Sequence, residues 1–162
     1  ESGRISIGGP TLFAGYRLDP AATAGALVDG RLVTGDRGRL SGGRLTVSGR
    51  LDDLVVTGGL NVDLAVVERA VRAWTGVEAA VVGVPHDEWG TEVVAVVEAG
   101  PDLRHVSPPT VSDLHAGLTD LPAYARPRRL ETTSTLPRTT GGKIDRRRLI
   151  AELSSPPTED GS

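Results

Sequence analysis

The stretch "PRTTGGK" at positions 137–143 sets a glycine pair just before a lysine and runs on into "IDRRRL". These residue types invite phosphate chemistry, and the nucleotide-cradling pattern G-x-x-x-x-G-K-[ST] is the first to try. It fails twice. Ile144 follows the lysine where a metal-binding hydroxyl is needed, and Pro137 stands where the loop needs its first glycine. Lys143 is instead a cation on a long stem, and Gly141 and Gly142 let its backbone approach a substrate closely. A positive charge aimed at a phosphate that gains negative charge during reaction stabilises the transition state by its position. The plain alternative is a surface lysine after a turn. Asp36, in "TGD", is a second group of interest: its carboxylate could accept from paired hydroxyls, or it could be an Asx-type turn residue. His86 and the other histidines have no spacing suited to a triad or a metal site.

These groups must be held by something. Residues 1–50 are glycine-rich and read as short strands between turns, namely "RISIGG", "GRLVTGD" and "GRLTVSGR". That segment is too short to bury a core of its own. After Leu51 the pattern changes: Leu64, Val67, Val71 and Trp74 fall at helical spacing, predicting a helix over 63–74 with Asp63 as its cap. "VEAAVVGVP" and "TEVVAVVEA" read as buried strands. Val111, Leu114, Leu118 and Leu121 form a second helical stripe, and Thr110 and Asp113 are spaced as a capping box. "RPRRLETT" predicts a third strand, residues 145–153 a last helix, and the polar, Pro-rich residues 154–162 a disordered tail. The expected class is therefore α+β. Residues 52–153 form a hinge and a small domain, a three-stranded sheet with helices plus a hairpin at "VTGG", and residues 1–51 are the β-rich end of a larger domain.

Composition narrows the partners. The 162 residues carry a net charge of -3, which gives no electrostatic case for nucleic acid. The clusters "RPRR" and "RRR" lack the aromatic company that base stacking needs and read as solvated surface. No apolar run approaches membrane-spanning length, so no membrane insertion is expected. Cysteine is absent, which removes thiol nucleophiles and disulfides and fits a reducing, cytoplasmic setting. Methionine is absent even at position 1, so the chain is expected to be part of a longer product.

The stretches "GPTLFAGYR" (9–17), "TGDRG" (34–38), "GRLDDLVVTGGLNV" (49–62), "GVPHDEWG" (83–90) and "LPRTTGGKIDR" (136–146), in this order, resemble the C-terminal third of the adenylate-forming acyl-CoA synthetase superfamily. Within it, the short "GGRLTVSGRLDDLVVTGG" section most resembles o-succinylbenzoate–CoA ligases of menaquinone biosynthesis. The resemblance implies an acid–thiol ligase: ATP, with Mg2+, activates a carboxylic acid as an acyl-adenylate, and the thiol of CoA then attacks. It implies that the metal is held mainly by ATP and by a preceding N-terminal domain, the lid's other partner. A homodimer is left open.

The resemblance also distributes roles. Lys143 would be the catalytic cation of adenylation. Asp36 would bind the ribose hydroxyls of the nucleotide, and Arg50 the same ribose or a phosphate. Asp52 would be the hinge on which the small domain turns between the half-reactions; otherwise Asp52 and Asp53 are a polar linker. Gly58 and Gly59 would line the pantetheine tunnel, beside their ordinary service in a hairpin turn. Tyr124 and Arg126 would contact the CoA nucleotide, with Trp89 on the same surface or packed on the sheet. The chain departs from the pattern at Leu60, where many relatives carry glutamate, and at Asp63 or Leu64, where they often place a proline. The same motifs would suit the lid of a domain that loads a carrier-protein thiol, or a lid fragment that only binds.

Overall fold

The structure, a computed structural model, describes residues 3–99 and 109–154. Of the expected disordered tail only Ser154 is described, and it ends a helix; the rest lies outside the described residues. The chain divides into compact units Glu1–Asp53 and Leu54–Ser162, two residues beyond the expected join.

The first unit consists of β1 (Gly3–Ile7), α1 (Pro20–Ala26), β2 (Leu27–Val28), β3 (Arg31–Ser41) and β4 (Arg44–Arg50). The long β3 is the organiser, pairing antiparallel with β1, β2 and β4. Gly42 and Gly43 both hold positive φ, 56° and 74°, as the two-residue turn between right-twisted strands demands. Helix α1 is an addition to the strands read from sequence. Asp19 caps it by accepting from the Ala22 amide at 2.8 Å, and Pro20 begins it, where a missing N–H costs nothing. No hydrophobic side chain among the described residues of this unit is buried, and Leu40, Leu45 and Val47 are more than half exposed.

The second unit opens with the hairpin β5 (Leu54–Thr57) and β6 (Leu60–Asp63), followed by α2 (Leu64–Thr75), β7 (Ala79–His86) and β8 (Gly90–Glu98). Then come α3 (Val111–Gly117), a 3-10 turn (Ala123–Ala125), β9 (Arg129–Thr133) and α4 (Arg146–Ser154). The sheet order is β7-β8-β9, antiparallel then parallel. Side chains alternate across the sheet, so both faces are apolar. Val81, Val93, Ala95 and Val97 pack under Val67 and Val71 of α2 and Leu114 of α3. Ala80, Val82, Val94 and Val96 pack under Leu149 of α4 and Leu136. Among the described residues, no helix is long and apolar enough to cross a membrane.

Local signals set the helix ends. Asp63 accepts from the amides of Ala65 and Val66, at 3.0 and 3.3 Å, and Gly76 closes α2 in the left-handed conformation. The capping box of Thr110 and Asp113 forms, and the hydroxyl and then the amide of Thr110 hold the Asp113 carboxyl below the usual carboxylate range. The second stripe was expected to stay helical through Leu121, but α3 stops at Gly117; Leu118 and Leu121 reach the core from the turn beyond it. The last residue of α3 is sterically constrained. A Cβ at Gly117 would run into the indole of Trp74. Gly117→Val should therefore lower stability by about 1–3 kcal/mol, the usual cost of overpacking. A thermal melt of the chain reads this directly, and an unchanged midpoint would show that Trp74 can move aside freely.

Candidate functional site

Lys143 is exposed on a tight loop between Leu136 and α4. Pro137 and Asp145 meet at its base, where the Asp145 amide donates to the Pro137 carbonyl at 2.8 Å, and Arg138 bridges to Ile144. The Thr139 amide donates to the Lys143 carbonyl at 2.7 Å, and Gly142, at φ 79°, turns the tip. Leu136 is wholly buried and Leu149 nearly so, pinning both flanks of the loop to one sheet face. Nine residues thus form a short arm with a buried base and an exposed cation near its tip. Asp145 caps α4 through the Arg148 amide at 3.1 Å.

Asp36 ends the predicted strand "GRLVTGD" and lies within β3, opposite Arg50 of β4. Its amide donates to the Thr34 hydroxyl at 3.1 Å, and it stands in register within the strand ladder and not at the end of a turn. The Arg50 guanidinium stands between two carboxylates, 3.3 Å from Asp36 and 3.1 Å from Asp52. It has room because Gly35 carries no side chain; a Cβ there would sit 2.8 Å from the guanidinium. The three side chains predicted from the motifs "TGD" and "GRLDD" are therefore together. All are substantially exposed, so the ion pairs contribute little to stability and remain open to exchange with a ligand.

In the second unit, Gly58 and Gly59 form the hairpin tip with φ 53° and 80°. Trp89 lies directly behind it: its carbonyl accepts from the Gly58 amide at 3.0 Å, and a Cβ on Gly58 would come within 3.2 Å of the ring. The Arg128 guanidinium lies over the Trp89 ring, 3.8 Å from its centroid. Arg128 is a residue that reading "RPRR" as solvated surface misses; the signal was an arginine leading into a strand beside the "EWG" turn. His86 shapes that turn, its Nδ1 accepting from the amides of Glu88 and Trp89 at 3.2 and 3.4 Å. Tyr124 stands half-exposed on the 3-10 turn, next to β6. Arg126 points inward, donating to the carbonyls of Leu121, His115 and Thr119 at 3.0, 3.3 and 3.4 Å. It caps the end of α3 and shapes the loop that carries Tyr124 and Arg128. Among the described residues, no group of three or more His, Asp or Glu side chains is placed to hold a metal ion.

The chain has known relatives. Residues 66–143 match the family model described as the AMP-binding enzyme C-terminal domain. The chain is 40% identical over 148 residues to a 4-chlorobenzoate–CoA ligase of Arthrobacter, covering 88% of this chain and 27% of that protein. It is 36% identical over 150 residues to a fatty acid–[acyl-carrier-protein] ligase of Streptomyces coeruleorubidus, covering 91% of this chain and 28% of the relative. Among solved structures, the o-succinylbenzoate–CoA synthetase of Bacillus subtilis, in complex with its acyl-adenylate intermediate, superposes with a TM-score of 0.78 at 30% identity, over 92% of this chain and 30% of that one. The chain thus spans under a third of the length of each.

Proposed function

Because residues 66–143 belong to the AMP-binding enzyme C-terminal domain family, within the adenylate-forming superfamily, we propose that this chain is the hinge and lid of an ATP-dependent acid–CoA ligase. The observation that carries the proposal is the exposed Lys143 on an arm whose base is buried. Forming an acyl-adenylate brings an anionic carboxylate to an anionic phosphate. A lysine held by such an arm can sit against the developing charge and be withdrawn without unfolding its domain. In the same reading Asp36 and Arg50 take the nucleotide's ribose, the Arg50 guanidinium letting go of one carboxylate as the ligand enters. Mg2+ would arrive with ATP and find its other ligands outside this chain.

Thioester formation needs a different surface. The side-chain-free tip at Gly58 and Gly59 suits a narrow pantetheine arm. Tyr124 and the arginine-capped Trp89 suit the purine and phosphates of CoA. Arg126, engaged with three carbonyls, would serve this surface by fixing the loop, and Arg128 would present the charge. For the acid, we favour o-succinylbenzoate, supported by the "GGRLTVSGRLDDLVVTGG" likeness and the superposition on a synthetase of that acid. A carrier-protein thiol in place of CoA is the second reading, favoured by the fatty acid–[acyl-carrier-protein] ligase among the relatives.

The phosphate loop and acyl pocket expected of such an enzyme have no counterpart in these 162 residues. The chain by itself should therefore show no acid-dependent pyrophosphate exchange with aromatic or fatty acids. Turnover by the purified chain would overturn the lid assignment. In the intact enzyme, an acid panel read with free CoA and with a phosphopantetheinylated carrier protein separates the two thiol readings.

A further inference from the structure

Among the described residues, Glu68 on α2 is the only charged side chain that is buried, at 7% exposure. Its carboxylate gathers three donors: the Val81 amide at 3.0 Å, Arg146 at 2.7 Å and Arg72 at 3.1 Å. Arg72 in turn donates to the Ala79 carbonyl at 2.8 Å. Ala79 and Val81 lie on β7, an edge of the sheet, so α2 uses this i,i+4 pair to close backbone groups that no strand pairs. That task needs only Glu68 and Arg72. Arg146 is extra. It comes from the first turn of α4, on the opposite face of the sheet and 78 residues away in sequence.

We infer that the Glu68–Arg146 pair is a clamp that fixes the height and rotation of the Lys143 arm, making both side chains positioning residues for the adenylation step. The inference rests on the assignment of Lys143 above. Arg146 follows Lys143 by three residues and is adjacent to Asp145, whose amide closes the base of the arm on Pro137. The apolar anchors Leu136 and Leu149 hold the arm against the sheet, but apolar packing is non-directional and lets a short helix slide or roll. A charge-assisted hydrogen bond at 2.7 Å is directional, and it fastens the start of α4 to the edge of the sheet. Burial reinforces it: a carboxylate removed from water tolerates the loss of a donor poorly, so Glu68 holds Arg146 in place. A pair that serves only stability would act on the whole unit, whereas a clamp acts on the arm.

Hydrogen exchange and half-reaction kinetics separate these roles. In the 162-residue chain, Arg146→Ala should speed exchange of the Thr139, Gly142 and Asp145 amides by at least about fivefold, as expected when an arm opens locally, and leave the β8 amides unchanged. Arg146→Lys should recover most of that protection. Glu68→Gln keeps shape and an acceptor while removing the charge, and it should move the same amides if Arg146→Ala fails to fold. In the intact enzyme, Arg146→Ala should slow adenylation by about tenfold or more, the effect of a misplaced catalytic group. Thioester formation from supplied acyl-adenylate should stay within about twofold on the same grounds. Unchanged exchange in the arm, or equal slowing of both steps, overturns the clamp. Lys143→Ala run beside it tests the underlying assignment: if that variant adenylates normally, the reading of Lys143 falls, while the exchange data still decide whether the clamp exists.

Discussion

Lys143→Ala in the intact enzyme is expected to slow acyl-adenylate formation by about 10²–10³, the usual loss when one positioned electrostatic group is removed from a developing charge. The same variant should transfer a supplied acyl-adenylate to CoA at close to the parent rate. The reasoning joins structure to chemistry. The arm has a buried base, so removing an exposed amine at its tip leaves the sheet and helices as they were. Any loss is then chemical and not a failure to fold, and equal melting curves for the two proteins would establish that. In the proposed mechanism the charge is needed only while the α-phosphate is being attacked. Single-turnover measurements of each half-reaction, one started from ATP and acid and one from acyl-adenylate and CoA, would decide. Equal damage to both steps would remove the assigned role, since a group that matters equally to both is not one that leaves between them.

The second unit was legible in the sequence largely because its signals are local. The spacing of Leu64, Val67 and Val71 marks a buried helix face, Asp63 its start, and the apolar runs of β7 and β8 strands covered on both sides. The hairpin turn at Gly58 and Gly59 announces itself through residues that tolerate positive φ. What escaped was tertiary. The pairs Arg128 on Trp89 and Arg146 on Glu68 join residues far apart along the chain, and neither partner looks unusual alone. Arg126 shows the converse. The resemblance implies a nucleotide contact for it, yet the carbonyls of His115, Thr119 and Leu121 draw its guanidinium inward. Helix α1 had its cue in Asp19 and Pro20, but an alanine- and glycine-rich segment with no buried face gives periodicity nothing to report.

Asp52→Pro should leave adenylation working and slow thioester formation on the order of 10²-fold, the scale of misplacing reacting groups by about 1 Å. The chain divides into its two compact units next to this residue, and the proposed mechanism requires the second to turn so that Lys143 can leave and the hairpin tip can approach. Proline fixes φ near about -65° and also restricts the residue before it. That residue, Leu51, is already tied to the first unit, its amide donating to the Gly35 carbonyl at 2.8 Å. The rotation must then be taken up just after Leu51, where proline would block it. We expect the tolerated pose to be the adenylating one, in which Lys143 faces the nucleotide. Asp52→Ala is the control. It removes the carboxylate from Arg50, but both partners are more than half exposed, so the pair contributes at most about 1 kcal/mol and the backbone stays free to turn. Alanine should therefore affect both half-reactions mildly and alike. Should proline slow both steps equally, or alanine reproduce the effect of proline, the turning point lies elsewhere: the carboxylate would then matter for its charge beside Arg50, and the motion between half-reactions would need another pivot.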